Sequence, residues 1–210
     1  MKGFVFDLDG VIVSTDNYHY LAWKALADEI GVYFYREINN RLRGVSRMDS
    51  LEIILEKSDK KYSSKEKEYM CEKKNRIYQS YLKNMSDKNL SADVLSTLNE
   101  LRRRGYKMAI GSSSKNTKLI LEQIGLSSFF DEIVDGTMIT KTKPDPEVFL
   151  KAASLLGLNP KDCYVVEDAI AGIEAGYRGG FKTIAISDAR KSELATYKID
   201  KFSDILCLVE

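Results

Sequence analysis

Cysteine and proline are both scarce, at three each in 210 residues. Cys71, Cys163 and Cys207 are odd in number, widely spaced and outside any Cys-x-x-Cys pattern, which argues against a disulfide framework and a zinc site and fits a reducing, cytosolic compartment. So little proline beside 13 glycines leaves no low-complexity tail. Neither sign of charge is in excess: 32 basic against 31 acidic side chains give +1, so no global field draws the chain to nucleic acid or an anionic membrane. An anionic ligand must therefore be met by local groups. No 18 apolar residues run together, and the opening Met1–Phe6 stretch reaches Asp7 too early for a signal peptide, so a soluble, unexported protein is expected.

What is present is ordinary globular material, 44% hydrophobic and 30% charged, long enough for one core plus an insert. Phe4-Val5-Phe6 with Leu8 reads as a short buried strand ending at Asp9-Gly10. After Thr15, Asp16 and Asn17, the apolar positions Leu21, Ala22, Ala25, Leu26 and Ile30 recur at helical spacing until Gly31. Ser46-Arg47-Met48-Asp49 is a capping-box variant opening a second helix, and a long charged helix is expected from about Ser64 to Lys83. Beyond it the pattern alternates. Strands at Lys107–Gly111, Glu132–Val134, Cys163–Val166 and Lys182–Ile186 are separated by helical stretches such as Glu147–Leu156 and Ala169–Tyr177, which predicts a parallel sheet. Right-handed crossovers then bring the strand C-termini to one edge, where open α/β sheets bind ligands.

Polar groups collect where those strands end. Asp7 and Asp9 are two apart, so on an extended strand their like-charged carboxylates share a side and call for a cation or a shared proton. Asp-Gly between apolar residues is equally a hairpin signal. Glu167-Asp168 ends another strand, as metal-binding carboxylates or simply as caps of the helix behind them. Four carboxylates at one edge make an oxygen-rich site that suits Mg²⁺. Gly111-Ser112-Ser113-Ser114-Lys115-Asn116 could cradle a phosphate or merely cap a helix, and Lys143 in Lys143-Pro144-Asp145-Pro146 is a catalytic cation or a solvated lysine.

Their order along the chain resembles the haloacid dehalogenase superfamily of phosphotransferases, through Phe6-Asp7-Leu8-Asp9-Gly10-Val11, Ile110-Gly111-Ser112-Ser113-Ser114, Lys143-Pro144-Asp145-Pro146 and Val166-Glu167-Asp168-Ala169-Ile170-Ala171-Gly172. The resemblance implies a Rossmann-like parallel sheet core (1–14 and 88–210) with an inserted small α-helical cap domain (15–87). It implies Asp7 as nucleophile, Asp9 as general acid and base, Ser112 and Lys143 as holders of phosphoryl charge, and Mg²⁺ held by Asp7, Asp9, Glu167 and Asp168.

Sharper likeness to the superfamily's phosphoglucomutase-like branch lies in Tyr18-His19, Ala22-Trp23-Lys24-Ala25-Leu26-Ala27, Gly44-Val45-Ser46-Arg47, Asp49-Ser50-Leu51, Lys74-Asn75 and Ser114-Lys115-Asn116. That likeness implies a mutase moving phosphate within a hexose, with a small-molecule phosphatase as the alternative. Trp23, Gly44, Val45, Ser46, Arg47, Lys74, Asn75, Ser114, Lys115 and Asn116 would meet the substrate, Arg47 gripping the phosphate that is not transferred. His19, the single histidine, is a structural residue by default. By likeness it links cap closure to the acid–base aspartate. A monomer acting on a small sugar phosphate is expected, without nucleic-acid or membrane partners. Ser91-Ala92-Asp93 replaces the branch's common Pro-Gly step, and Met48 stands where an acidic residue is common.

Overall fold

The computed structural model describes residues 2–42 and 46–209, so Gly44 and Val45 of the expected substrate contacts lie outside the described residues. The chain forms two compact units, one of Met1–Ser14 with Met85–Glu210 and one of Thr15–Asn84.

The first unit is built on a six-stranded sheet: β1 (Gly3–Phe6), β2 (Lys107–Gly111), β3 (Glu132–Val134), β4 (Cys163–Glu167), β5 (Lys182–Ala185) and β6 (Tyr197–Lys198). Every pairing is parallel, in the order β3-β2-β1-β4-β5-β6. The Asp9-Gly10 hairpin alternative therefore falls, because both neighbours of β1 run parallel to it and arrive from far along the chain. β6 went unforeseen, being two residues long and too short to carry a period.

Both faces of the sheet are covered, which is why the strands read as continuous apolar runs. Side chains alternate: Val5 points to a core with Val165, Val148, Phe149 and Ala152, while Phe4 and Phe6 point the other way into an aromatic layer with Tyr164, Tyr106 and Phe202. Gly111 ends β2 because α7 (Glu147–Leu155) packs close there; a Cβ at Gly111 would lie 2.8 Å from the Phe149 ring and 2.9 Å from Val5.

The second unit is helical, with α1 (Asp16–Glu29), α2 (Arg36–Asn40), α3 (Arg47–Leu55) and α4 (Ser64–Leu82). Trp23, Leu26, Phe34, Leu51, Ile54 and Met70 are central to its core. Ser63 and Glu66 form a reciprocal capping box at the start of α4. Ser46 caps α3, its hydroxyl accepting from the Asp49 N–H at 3.2 Å and donating to the Asp49 carboxylate at 2.6 Å. The buried positions of α4 are Met70, Cys71, Lys74, Tyr78 and Leu82, one helical face in which Lys74 is the odd member. No helix among the described residues is long and apolar enough to cross a membrane.

Candidate active site

In this order successive strands are added on one side of β1 as far as β3 and on its other side from β4 onward, and open α/β sheets bind ligands at such a switch point, beyond the strand C-termini. Phe6 pairs with Val166, so the next residues, Asp7 and Glu167, emerge side by side, followed by Asp168. The Asp7 N–H continues the ladder, donating to the Val166 carbonyl at 3.0 Å. Asp7, Glu167 and Asp168 each place a carboxylate oxygen within 4.8 Å of the others.

Asp9 stands outside that group. β1 ends at Phe6, and the chain turns so that the Gly10 N–H donates to the Val13 carbonyl at 2.9 Å. An extended strand is therefore not what brings Asp9 near the others, yet its charge acts on both Asp7 and Asp168.

Lys143 lies on the loop before α7, with a cis bond to Pro144. Its ammonium donates to Asp7 Oδ1 at 2.5 Å and to Glu167 Oε1, and sits 4.7 Å from the centre of the Phe149 ring. Glu167 Oε2 accepts the Ala169 N–H at 2.9 Å, at the start of α8 (Ile170–Arg178). Both Glu167 oxygens are therefore engaged. Two glycines make room for the acids: a Cβ at Gly172 would fall 2.0 Å from the Glu167 carboxyl carbon, and one at Gly10 (φ +84°) would fall 2.1 Å from Asp168 Oδ2. Among the described residues no hydrogen bond reaches the Asp168 carboxylate.

Three carboxylates thus crowd around one ammonium that bonds two of them. Burial, more than the neighbouring Glu167 and Asp9, pushes the Asp7 pKa up to about 7 against the opposing pull of Lys143. Asp168 is pushed up to about 8 by burial and by Glu167, Asp7 and Asp9. Burial works against the Lys143 charge, but Asp7 and Glu167 outweigh it and hold its pKa above the ordinary lysine value. An all-oxygen donor set with uncompensated negative charge at the mouth of a parallel sheet fits Mg²⁺.

The serine loop lies on the other side of β1, at the end of β2. The Ser112 N–H donates to the Val134 carbonyl at 3.0 Å, the Ser112 hydroxyl accepts from the Ser114 N–H at 3.2 Å, and the Ser114 hydroxyl accepts from the Asn116 N–H at 3.2 Å. Ser112 and Ser114 therefore brace the entry to α6 (Thr117–Gln123), while Asn116 is buried and Lys115 is exposed.

In the helical unit, the buried Lys74 donates to His19 Nδ1 at 2.8 Å, its ammonium 4.8 Å from the ring centres of both Trp23 and Tyr78. The His19 ring lies 4.1 Å from that of Tyr78, whose hydroxyl donates to Thr15 at 2.9 Å. Arg47 donates to Asn75 Oδ1 at 2.9 Å. Burial first, then Lys74 and Arg47, lower the His19 pKa well below the ordinary value, so the ring is neutral with its proton on Nε2. Trp23, expected at the substrate, is buried beneath Lys74 as part of the helical core.

Sequence reasoning missed Phe149, Gly172, Tyr78 and Thr15. Tyr78 carried a usable signal, one helical turn beyond Lys74 on the same face. Phe149 acts through packing between distant segments, which no local pattern displays, and Gly172 through the space it leaves for the side chain of Glu167, five residues earlier.

Residues 4–186 match the family model described as haloacid dehalogenase-like hydrolase. The chain is similar to a beta-phosphoglucomutase of Bacillus subtilis, at 38% identity over 98% of this chain and 92% of that protein. It is also similar to a phosphorylated carbohydrates phosphatase of Thermotoga maritima, at 27% identity over 88% and 84%. Among solved structures, a beta-phosphoglucomutase of Clostridium difficile matches with a TM-score of 0.88 and 36% identity, covering 98% of this chain and 93% of that one. Motifs, sheet order and the carboxylate–lysine cluster agree with that match, and the chain belongs to the haloacid dehalogenase-like hydrolase family.

Proposed function

We propose that the protein is a Mg²⁺-dependent β-phosphoglucomutase, an isomerase of carbohydrate metabolism that interconverts β-glucose 1-phosphate and glucose 6-phosphate through β-glucose 1,6-bisphosphate. The observation that carries the mutase reading is Lys74, a lysine buried among aromatic rings on an otherwise apolar helix face, beside His19. Burying that charge carries a desolvation cost, which the His19 contact and the two rings offset in part and a substrate with a second phosphate would offset further. Similarity to the Bacillus subtilis and Clostridium difficile beta-phosphoglucomutases supports the same reading.

The proposed chemistry follows from the side chains. An Asp7 oxygen attacks phosphorus in line, forming an aspartyl phosphate as the phosphorus–oxygen bond to the sugar breaks. Asp9 gives its proton to the departing sugar oxygen, then takes the proton of the hydroxyl that attacks the aspartyl phosphate, so protons balance over a cycle. Asp7 and Asp168, with Glu167 beside them, would hold Mg²⁺, which neutralises the anionic nucleophile and phosphoryl oxygens. Lys143 supplies further positive charge, and Glu167 and Phe149 keep its ammonium beside Asp7. Ser112 donates its hydroxyl proton to a phosphoryl oxygen. Arg47, with Asn75 beside it, binds the phosphate not in transit, and Ser114, Lys115 and Asn116 are substrate contacts of the sheet unit. The enzyme works in the cytosol as a monomer on small sugar phosphates.

The test is an NMR product assay with β-glucose 1-phosphate, with and without a bisphosphate primer. Glucose 6-phosphate as the main product, accelerated by primer, is expected. Inorganic phosphate and glucose as main products would instead make the protein a sugar-phosphate phosphatase, like its Thermotoga maritima relative.

A further inference from the structure

We infer that Ser187 is a positioning residue for Asp168, acting through the left-handed backbone conformation that it holds. The inference rests on the reading of Asp168 as a Mg²⁺ ligand. Among the described residues Ser187 is the only non-glycine with a positive φ, +56°. Such a conformation is disfavoured for a residue with a Cβ and persists only where the surroundings impose it.

The hydrogen bonds on either side show what imposes it. β5 pairs in parallel with β4, and the Ile186 N–H extends the ladder by donating to the Glu167 carbonyl at 2.9 Å. In a regular parallel ladder the next bond would run from the Asp188 N–H to the Ala169 carbonyl. That carbonyl is taken, accepting the Gly172 and Ile173 N–H groups at 3.1 Å in the first turn of α8. At Ser187 the chain instead turns, and the Ala189 N–H donates to the Asp168 carbonyl at 2.8 Å. Consecutive carbonyls of the acidic pair are thus held by Ile186 and Ala189, with the left-handed residue between them.

Both ends of this clamp are anchored. Ala189 is fully buried against Ile173 and Ala185, tying it to α8 and β5. On the side-chain side, Gly10 leaves no space beyond that occupied by the Asp168 carboxylate. Asp168, without a hydrogen bond to its own carboxylate among the described residues, is held from its backbone and by contact. Ser187 itself is exposed and its hydroxyl makes no hydrogen bond among the described residues, so substitutions there change backbone preference and little else.

The experiment is calorimetric titration of the full chain with Mg²⁺ alone, for wild type, Ser187→Gly, Ser187→Asn, Ser187→Ala and Ser187→Val, with a metal-free melting curve for each. Glycine and asparagine accept the left-handed region and should bind Mg²⁺ as wild type does. Valine resists it most and should bind about tenfold more weakly, with alanine between. Valine and alanine variants with wild-type affinity, even if they melt earlier, would reduce Ser187 to a merely structural role and overturn the inference. So would glycine and asparagine variants as weak as valine, which would implicate the hydroxyl. If the valine variant does not fold, the alanine–glycine comparison decides, and equal affinities overturn the inference. A wild-type chain that binds no Mg²⁺ would remove the metal reading itself and this inference with it, whereas normal wild-type binding with indifferent variants removes the inference alone.

Discussion

Lys74 donates to His19 Nδ1 at 2.8 Å from a position on α4 where the pattern of buried neighbours calls for an apolar side chain. The contact leaves His19 neutral, with its pKa well below 6.5 through burial, Lys74 and Arg47. Because the unfolded chain takes up a proton there that the folded chain refuses, His19 should cost stability as pH falls from about 6.5 toward the lowered folded value. Urea midpoints from pH 8 to 5 should show this as a difference between wild type and His19→Gln, the variant lacking that loss. The single imidazole can also be followed directly by NMR, and titration at or above 6.5 in the native protein would contradict the contact.

The metal cluster has the opposite pH dependence. Asp7, raised to about 7, and Asp168, raised to about 8, hold protons in the folded state that the unfolded chain releases near 3.8. Metal-free stability should therefore be lost as pH rises from about 4 to 8. Mg²⁺ relieves the repulsion, so its effect on melting temperature should be larger at pH 8 than at pH 5.5. Saturation at a hundredfold excess over Kd would add about 2.7 kcal/mol. Asp168→Asn should abolish most of the shift. An equal shift at both pH values would exclude this role for the carboxylates.

Asp7→Asn should lower turnover by about a thousandfold or more, since an amide cannot serve as the attacking carboxylate. Its fold should survive, because the substitution removes one of three crowded acids. Trapping of the phospho-enzyme, seen by intact mass, should disappear in the variant. Residual activity of a few per cent would mean that another residue accepts the phosphoryl group.

Arg47→Ala separates transfer between sugar carbons from simple hydrolysis. Loss of a charge-assisted contact costs about 1.5 to 3 kcal/mol, or about tenfold to a hundredfold in the mutase step. Hydrolysis of acetyl phosphate, which has no second group to hold, should change little. Equal losses in both assays would remove the distal-phosphate role from Arg47.

Gly10 and Gly31 provide a matched pair. Both have positive φ, +84° and +71°, but a Cβ at Gly31 meets nothing within 4 Å, whereas one at Gly10 overlaps the Asp168 carboxylate. Gly31→Ala should cost about 1 kcal/mol of stability and leave Mg²⁺ binding intact. Gly10→Ala should weaken Mg²⁺ binding as well, read by calorimetry. Equal Mg²⁺ affinity in the two variants would argue against Gly10 as a spacer for Asp168.

The central strands were readable because they are apolar runs, and β1 to β4 end at or just before Asp7, Gly111, Asp135 and Glu167, so the run and its stop are both local signals. Asp7, Lys143, Glu167 and Asp168 could be placed beside recognisable elements, but local signals left each with a structural alternative, and only their order along the chain, through family resemblance, singled them out. The turn that carries Asp9 was not readable, since whether a strand extends two residues further depends on its neighbours. Ser187 was hidden because a left-handed residue is imposed by the rivalry of α8 for the Ala169 carbonyl, a relation between segments some 18 residues apart. Lys74 was reached only through family resemblance, although its place among Met70, Cys71, Tyr78 and Leu82 already marks it as an exception.

Glu167 reaches Lys143 with one oxygen and the first turn of α8 with the other, in a space that Gly172 leaves open. A shorter acid at this position would have to choose between the lysine and the helix, and a larger residue than glycine at 172 would evict the carboxylate from both. This corner of the sheet is consequently a poor place to redesign. On the function proposed above, substitutions aimed at substrate choice are better placed on the helical unit, away from Glu167, Lys143 and Gly172.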